Sequence, residues 1–481
     1  MTAARGIAAN FAILSAGQAL ARFLSFLVTV HLARVLLAEG FGALGLAVGA
    51  LAYATLVVEL GFDLLGPLEV ARGRVPLPIL VGNVITLRLL LSLLAITLVC
   101  AFAGLAPVPA AARPLLLLYS ISLAADAVDL NWVFLGSETM APVAASEILQ
   151  QVVLAAGVFG FVWRPADILT VPLLYVAGRS VAVVGLLFAF IRGHGWFALG
   201  LDRELIRPLV CAALPLWGSR WAGALLHNFD LLLLGLITGV EAAGLYNAAY
   251  RILWVPTLLA LAYLTALRPV LARGFASGGQ ALQPLLRRAG SLSLSFGVGA
   301  AIGGGWLAAP LLDWLYGPGY GGAAWALRVL LASFAFFPLS RLCRNVAWVG
   351  GRGGADLLVV AVAAAINVAL NLILVPRGGV LGAACATFVA EALILGLAAR
   401  VARSVAGRLP FLESPWRILT AALVLIGWLW LSEPLHVLAR IVLGAACYVM
   451  TLVALGVVGP ADLLSTPAPP GDPTDVSSLV G

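Results

Sequence analysis

The sequence contains no lysine. All 28 basic side chains are arginines, set against 21 Asp and Glu, for a formal charge of +7. Charge of either sign is scarce: 10% of the 481 residues are charged, where soluble chains carry about 25%. Cysteine is scarce too. The five present (Cys100, Cys211, Cys343, Cys385, Cys447) lie far apart inside apolar runs, odd in number and without metal-type spacing, and read as small packing residues. Four histidines (His31, His194, His227, His436) without ligand spacing offer no metal centre. No Walker loop is present, so the chain is not expected to hydrolyse ATP itself. No outer loop is long enough to form the extracytoplasmic catalytic domain that a membrane glycosyltransferase or polymerase normally needs, and no enzyme is expected.

What is abundant is apolar. Hydrophobic residues make up 63% of the chain and the mean hydropathy is +1.09. Soluble chains are about 45–50% apolar. A water-soluble fold cannot hide this much apolar surface, and the chain is far too apolar to be disordered. The runs are long and unbroken, as in Leu89–Val99 and Leu419–Leu431, unlike the alternating segments of a membrane β-barrel. The expected class is an all-α integral membrane protein.

Gly, Pro and Arg punctuation divides the chain into about fourteen candidate spans, each near the roughly 20 residues a bilayer requires. The first two cover 10–33 and 42–65, the fourth 114–135, the seventh 209–236, the eleventh and twelfth 355–375 and 380–401, and the last pair 416–432 and 436–458. The first run continues to Val30, longer than a signal-peptide core, so this helix is expected to stay in the protein. With the N-terminus placed in the cytoplasm, fifteen arginines fall in cytoplasmic loops. Five (Arg34, Arg113, Arg164, Arg377, Arg440) fall outside and eight within spans. That bias follows the positive-inside rule and puts both termini in the cytoplasm. The excess of arginine is thus a topology signal first, and no nucleic-acid partner is expected.

The basic stretch 192–208 reads as a cytoplasmic linker on the anionic inner leaflet, between an N-terminal six-helix lobe (1–191) and a C-terminal one (209–401). Residues 402–464 form an appended helix pair, and 465–481, rich in Pro, Gly, Ser, Thr and Asp, a disordered cytoplasmic tail. A short echo, Glu39-x-x-Gly42 and Glu241-x-x-Gly244, recurs in the two halves, as parallel repeats do in transporters.

Ionisable groups at bilayer depth usually face a protein interior or a water-filled cavity. Here they fall in stripes. Ser15, Gln18, Arg22, Ser25 and Thr29 share a face of the first span; Ser122, Asp126 and Asp129 of the fourth; Arg220, His227 and Asp230 of the seventh; Asn247, Arg251 and Trp254 of the eighth. Thr387 and Glu391 pair in the twelfth. Interhelical glue is one reading of such residues; stripes on at least five helices favour a continuous polar cavity. Within the spans the first half is net acidic and the second net basic. Arg220 and Arg251 in the second half suit an anionic headgroup, because guanidinium binds phosphate bidentately. Glu59, Asp63, Asp126 and Asp129 in the first either couple transport to Na+ or H+ or pair with arginines. No other cofactor is expected.

Several segments resemble a known family. Leu32-Ala-Arg34 with Glu39-Gly-Phe-Gly42, Asn131-Trp-Val-Phe-Leu-Gly136 with Glu138 and Met140, Asp230, and Val240-Glu-Ala-Ala-Gly-Leu-Tyr-Asn247 with Tyr250-Arg251 come in order. Leu315-Tyr-Gly317 with Gly319-Tyr320, Asn367-x-x-x-Asn371, Pro376 and Gly382-Ala-Ala-Cys-Ala-Thr387 with Glu391 follow. The series, from about residue 10 to about 400, is similar to the polysaccharide transporters of the multidrug/oligosaccharidyl-lipid/polysaccharide flippase superfamily. The resemblance implies two six-helix lobes around a central cavity, and flipping of polyprenyl-pyrophosphate-linked oligosaccharides across the bacterial inner membrane for O-antigen, capsule or exopolysaccharide synthesis. It implies Arg22, Asp230, Asn247, Arg251 and Glu391 as cavity residues. Membrane lipids, a glycan polymerase and glycosyltransferases are the implied partners. The family's cationic lumen is matched by the second half and not by the first. A lipid II-type or multidrug exporter of the same superfamily, and a transport-inactive scaffold for glycan assembly, remain as alternatives.

Overall fold

The computed structural model describes residues 2–276, 282–411 and 415–459; the expected tail 465–481 lies outside them. Every regular element among the described residues is helical. Ten helices are long and apolar enough to cross a membrane, or eleven if Leu282–Trp306 and Ala308–Tyr316, bent by 71° at their junction, form one span.

The expected number was higher, and the difference has a physical origin. Thr2–Glu59 and Gly353–Ala406 are each two helices merged across a kink, at Leu37 (φ 56°) and Gly379 (φ 50°). A straight helix of 58 residues would run roughly 87 Å, against a hydrocarbon core of about 30 Å. Both kinks fall between expected spans. Pro415–Leu431 is apolar but has only 17 residues.

Other expected spans are interrupted. The second breaks after Glu59, where Leu60 (φ 46°) and Gly61 (φ 78°) are both left-handed before the chain resumes as Phe62–Arg72. Gly61 adopts this conformation at little cost, whereas for Leu60 it is strained. The fourth is split into Arg113–Ser120, Ser122–Ala127 and Asn131–Gly136.

Contacts divide the chain into two compact units. One comprises Met1–Tyr250, Leu312–Ala326 and Val360–Ala386; the other Arg251–Leu311, Leu327–Val359 and Thr387–Gly481. The first contains a core around Phe62, Ile85, Trp132, Leu186 and Phe190. Within it the two sequence echoes meet. Gly42 packs against Val240 and Gly244, and Gly244 against Ala38, so closely that a Cβ on either glycine would collide with opposing backbone. The segment before Arg203–Ile237 is pinned by side chains of Leu77–Leu105: Asn83 Oδ1 accepts from Asp202 N (2.6 Å) and Thr86 Oγ1 from Gly200 N (3.1 Å). Asp202 then caps the helix by accepting from Glu204 N.

The first unit also holds a clasp. Arg34 donates to the carbonyls of Leu315 (2.7 Å) and Trp314 (2.6 Å) at the end of Ala308–Tyr316, and Tyr320 Oη donates to Ala33 O (2.7 Å). Phe41, Tyr316 and Tyr320 pack their rings together. In the second unit, Ile418, Leu425, Leu429, Tyr448 and Leu452 form a core with Leu307, and Tyr448 Oη donates to Ser295 O (2.9 Å).

Candidate functional site

Three polar clusters occur in the first unit. The most buried joins Ser122–Ala127, the turn that leads from it to Asn131–Gly136, and Thr170–His194. Arg179 Nε lies 2.6 Å from Asp126 Oδ1 and its Nη2 2.7 Å from Asp129 Oδ2. Asp129 also accepts from Asn131 N and Nδ2. Its carbonyl takes Arg88 Nη1 (3.1 Å), and Ser146 Oγ donates to Asn131 Oδ1. Asp126 and Asp129, candidates for ion coupling, are therefore committed to an arginine. Beside them Gln18 Nε2 donates to Glu147 Oε1 (3.4 Å); Arg22 is exposed and within electrostatic reach of Glu147.

The second cluster lies where Arg203–Ile237 crosses the break after Glu59. Arg220 Nη2 is 3.1 Å from Asp63 Oδ2 and 3.4 Å from Glu59 Oε2. The arginine side chain is 45% exposed and the two carboxylates 23% and 21%. An aromatic floor supports them: Trp217 Nε1 donates to Leu56 O (2.7 Å), Tyr53 Oη to Ala224 O (3.2 Å), and Trp221 packs against both rings. The third continues along the same helix. Asp230 is buried, accepts from Leu231 N (2.8 Å) and takes the hydroxyl of Tyr246, while His227 Nδ1 is 3.2 Å from Tyr250 Oη. Asn247 is buried against Gly45.

The second unit contains its own charges. Arg344 forms a two-nitrogen pair with Asp356 (2.6 and 3.0 Å). Arg268 Nε donates to Asn345 Oδ1 (3.0 Å), and Asn345 Nδ2 donates to Leu264 O (2.9 Å). Arg341 lies over the Phe337 ring, 4.9 Å from its centre. Glu391 is buried, with Arg341 and Arg344 its nearest electrostatic partners, and one carboxylate oxygen has no hydrogen-bond partner. Arg251 is exposed.

The structure thus joins Arg220 with Glu59 and Asp63, sequence candidates for two separate roles. Trp217, Trp221 and Tyr53 did not stand out in the sequence, although Trp217 and Trp221 sit beside Arg220 at helical spacing. The break at Leu60–Gly61 escaped notice because one glycine in an apolar run is common in membrane helices.

Ten or eleven long apolar helices that carry paired charges make the described residues a multi-span membrane bundle. Its fold is similar to that of a lipid II flippase, MurJ, in an inward closed conformation: TM-score 0.77 at 13% identity, covering 92% of this chain and 98% of that one. An inward-facing multidrug resistance MATE transporter of the MOP superfamily matches with TM-score 0.64 at 15% identity, covering 83% and 95%. By sequence the chain belongs to the polysaccharide biosynthesis protein family, whose model matches residues 7–275. It is also 25% identical over 235 residues to a protein of Escherichia coli (strain K12) named "Putative O-antigen transporter". That match covers 48% of this chain and 56% of the relative, a little over half of its length.

Proposed function

We propose that this protein flips polyprenyl-pyrophosphate-linked oligosaccharides from the inner to the outer leaflet of the bacterial inner membrane, for O-antigen, capsule or exopolysaccharide assembly. The observation that supports the reading is the set of charged residues, Arg220, Glu59 and Asp63 foremost, paired within long apolar helices of a chain of the polysaccharide biosynthesis protein family. Exposed arginine at bilayer depth is costly unless it faces a water-filled path.

The headgroup is too polar for hydrocarbon, while the lipid tail is at home there. A water-filled cleft, for which the exposed arginines Arg22, Arg220 and Arg251 are the candidates to meet the headgroup, lets it cross without dehydration. Rocking of the lobes gives alternating access. The drive comes from different affinity for the two states, set by the lipid or by a Na+ or H+ gradient. Fourteen spans with both termini in the cytoplasm complete the topology, and a glycan polymerase and glycosyltransferases are the expected neighbours in the membrane.

The test is flipping of a fluorescent polyprenyl-pyrophosphate oligosaccharide in proteoliposomes, with and without imposed gradients. The wild type should transport it and Arg251→Glu should lose at least ~10-fold in rate, the equivalent of about 1.4 kcal/mol. Gradient-driven movement of a small cationic dye, with no glycan lipid moved, overturns the reading in favour of drug export.

A further inference from the structure

The second span is discontinuous where its charges sit. Glu59 is the last residue before the break and Asp63 the second after it, with the two left-handed residues between. Interrupted helices at bilayer depth are where transporters form ligand and ion sites, because unwound backbone needs partners other than lipid. Arg220 lies 17 residues beyond Arg203, the first residue of its helix, or roughly 25 Å along it.

The pairing there is loose. One nitrogen of Arg220 serves both carboxylates, at 3.1 and 3.4 Å, and nearly half of the side chain is open. Arg179, by contrast, gives a separate nitrogen to each of its two aspartates at 2.6 and 2.7 Å. Asp63 Oδ1 is buried with no hydrogen-bond partner, as is the indole nitrogen of Trp221, the residue after Arg220. Everything around the arginine is fixed. Trp217 and Tyr53 each bond to backbone of the opposite helix, and a Cβ at Gly61 would come within 2.8 Å of Ala213 O. The guanidinium takes no part in the helix crossing itself, which Trp217, Tyr53 and Gly61 hold. The charges facing Glu59 are Asp63, Arg88 and Arg220 from three other helices, and Arg88 is engaged by the carbonyl of Asp129.

We propose that Glu59, Asp63 and Arg220 form an exchange site. Without ligand the two carboxylates hold Arg220; a phosphate oxyanion of the lipid-linked headgroup takes the guanidinium from them, and the freed carboxylates bind a monovalent cation, H+ or Na+. The proposal rests on the flippase reading above and adds its coupling chemistry. Phosphate competes because it offers the guanidinium a bidentate partner, whereas the carboxylates share one of its nitrogens. The freed carboxylates, each within 3.4 Å of the nitrogen that held them, then face one another and take the cation in its place. Anion and cation thus load together, and the cation offsets part of the headgroup's charge.

The experiment is binding of farnesyl pyrophosphate to the detergent-solubilised full chain, by calorimetry at several pH values and Na+ concentrations. Two buffers of different ionisation enthalpy are used, with melting curves recorded for every variant. Wild type should bind more tightly as pH falls or Na+ rises, with proton uptake marking H+ and a Na+ dependence marking Na+ as the cation. Glu59→Gln/Asp63→Asn should bind about tenfold more tightly, because the competitor for Arg220 is gone, and should lose the wild-type cation dependence. Arg220→Ala should lose binding at every pH. The single variants Glu59→Gln and Asp63→Asn replace the double one should it fail to fold. Unchanged or weaker binding by these variants, in a wild type that does bind, overturns the exchange and leaves the flippase reading intact. No binding by wild type or any variant overturns both.

Discussion

Two arginines in the first unit show how differently one side chain can be used. Arg179 is largely buried and gives each of two aspartates its own short bond; Arg220 is nearly half exposed and shares one nitrogen between two carboxylates at longer range. Breaking a buried pair strands its charge and costs about 3–5 kcal/mol. Removing Arg220 strands carboxylates that are 21% and 23% exposed, against 9% and 13% for the aspartates of Arg179, and costs less. Arg179→Met should therefore lower the melting temperature of the purified protein sharply. Arg220→Ala should lower it less and be defective in transport. Equal melting temperatures for the two variants would refute the distinction. Sequence position alone does not separate these arginines, because each falls within an apolar candidate span. What divides them is the geometry of the acids opposite, which come from other helices.

At the scale of elements, the clasp in the first unit is the clearest device. Arg34 places a cation on the last carbonyls of Ala308–Tyr316, where the helix dipole is negative, and Tyr320 ties the following turn to Ala33. These residues lie on the expected outer side. Arg34→Ala with Tyr320→Phe removes the three bonds and leaves the ring packing of Phe41 and Tyr316. Hydrogen exchange across residues 308–320 should speed up by about tenfold, since each bond is worth about 0.5–1.5 kcal/mol; unchanged exchange would show that the rings alone hold the turn. The helix pattern itself was largely readable. Leu37 and Gly379 kink the chain where spans were expected to meet. The break after Glu59 was not readable, because Leu60 carries no mark of its left-handed backbone. It is held there by neighbours far away in sequence: Trp217 bonds to Leu56 O, and Gly61 fits against Ala213.

For the whole molecule, the loop arginines make a definite prediction about orientation. With the five native cysteines replaced, a single cysteine at Arg74 should react with a membrane-impermeant maleimide only from the cytoplasmic side of the membrane. One at Arg164 should react only from the outside. Reaction of both from one side would break the alternation on which the span count and both cytoplasmic termini depend. The two contact units are drawn differently from the two expected lobes, since the first takes in Leu312–Ala326 and Val360–Ala386. Six-helix lobes accordingly remain part of the proposed mechanism.

Membrane residence and helical class followed from the sequence alone, because no solvent other than lipid accommodates 63% apolar residues in long runs. The family resemblance and the candidate polar residues followed as well, since side-chain type and helical spacing are local properties. The pairing of those residues is not local. That Asp126 and Asp129 are taken up by Arg179 while Glu59 and Asp63 share a half-open Arg220 depends on which helices cross, and at what height. The same holds for the two glycine echoes. The sequence displays Gly42 and Gly244 as matching positions, but only the tertiary structure presses them together, because a close helix crossing needs two surfaces without a Cβ at the same point.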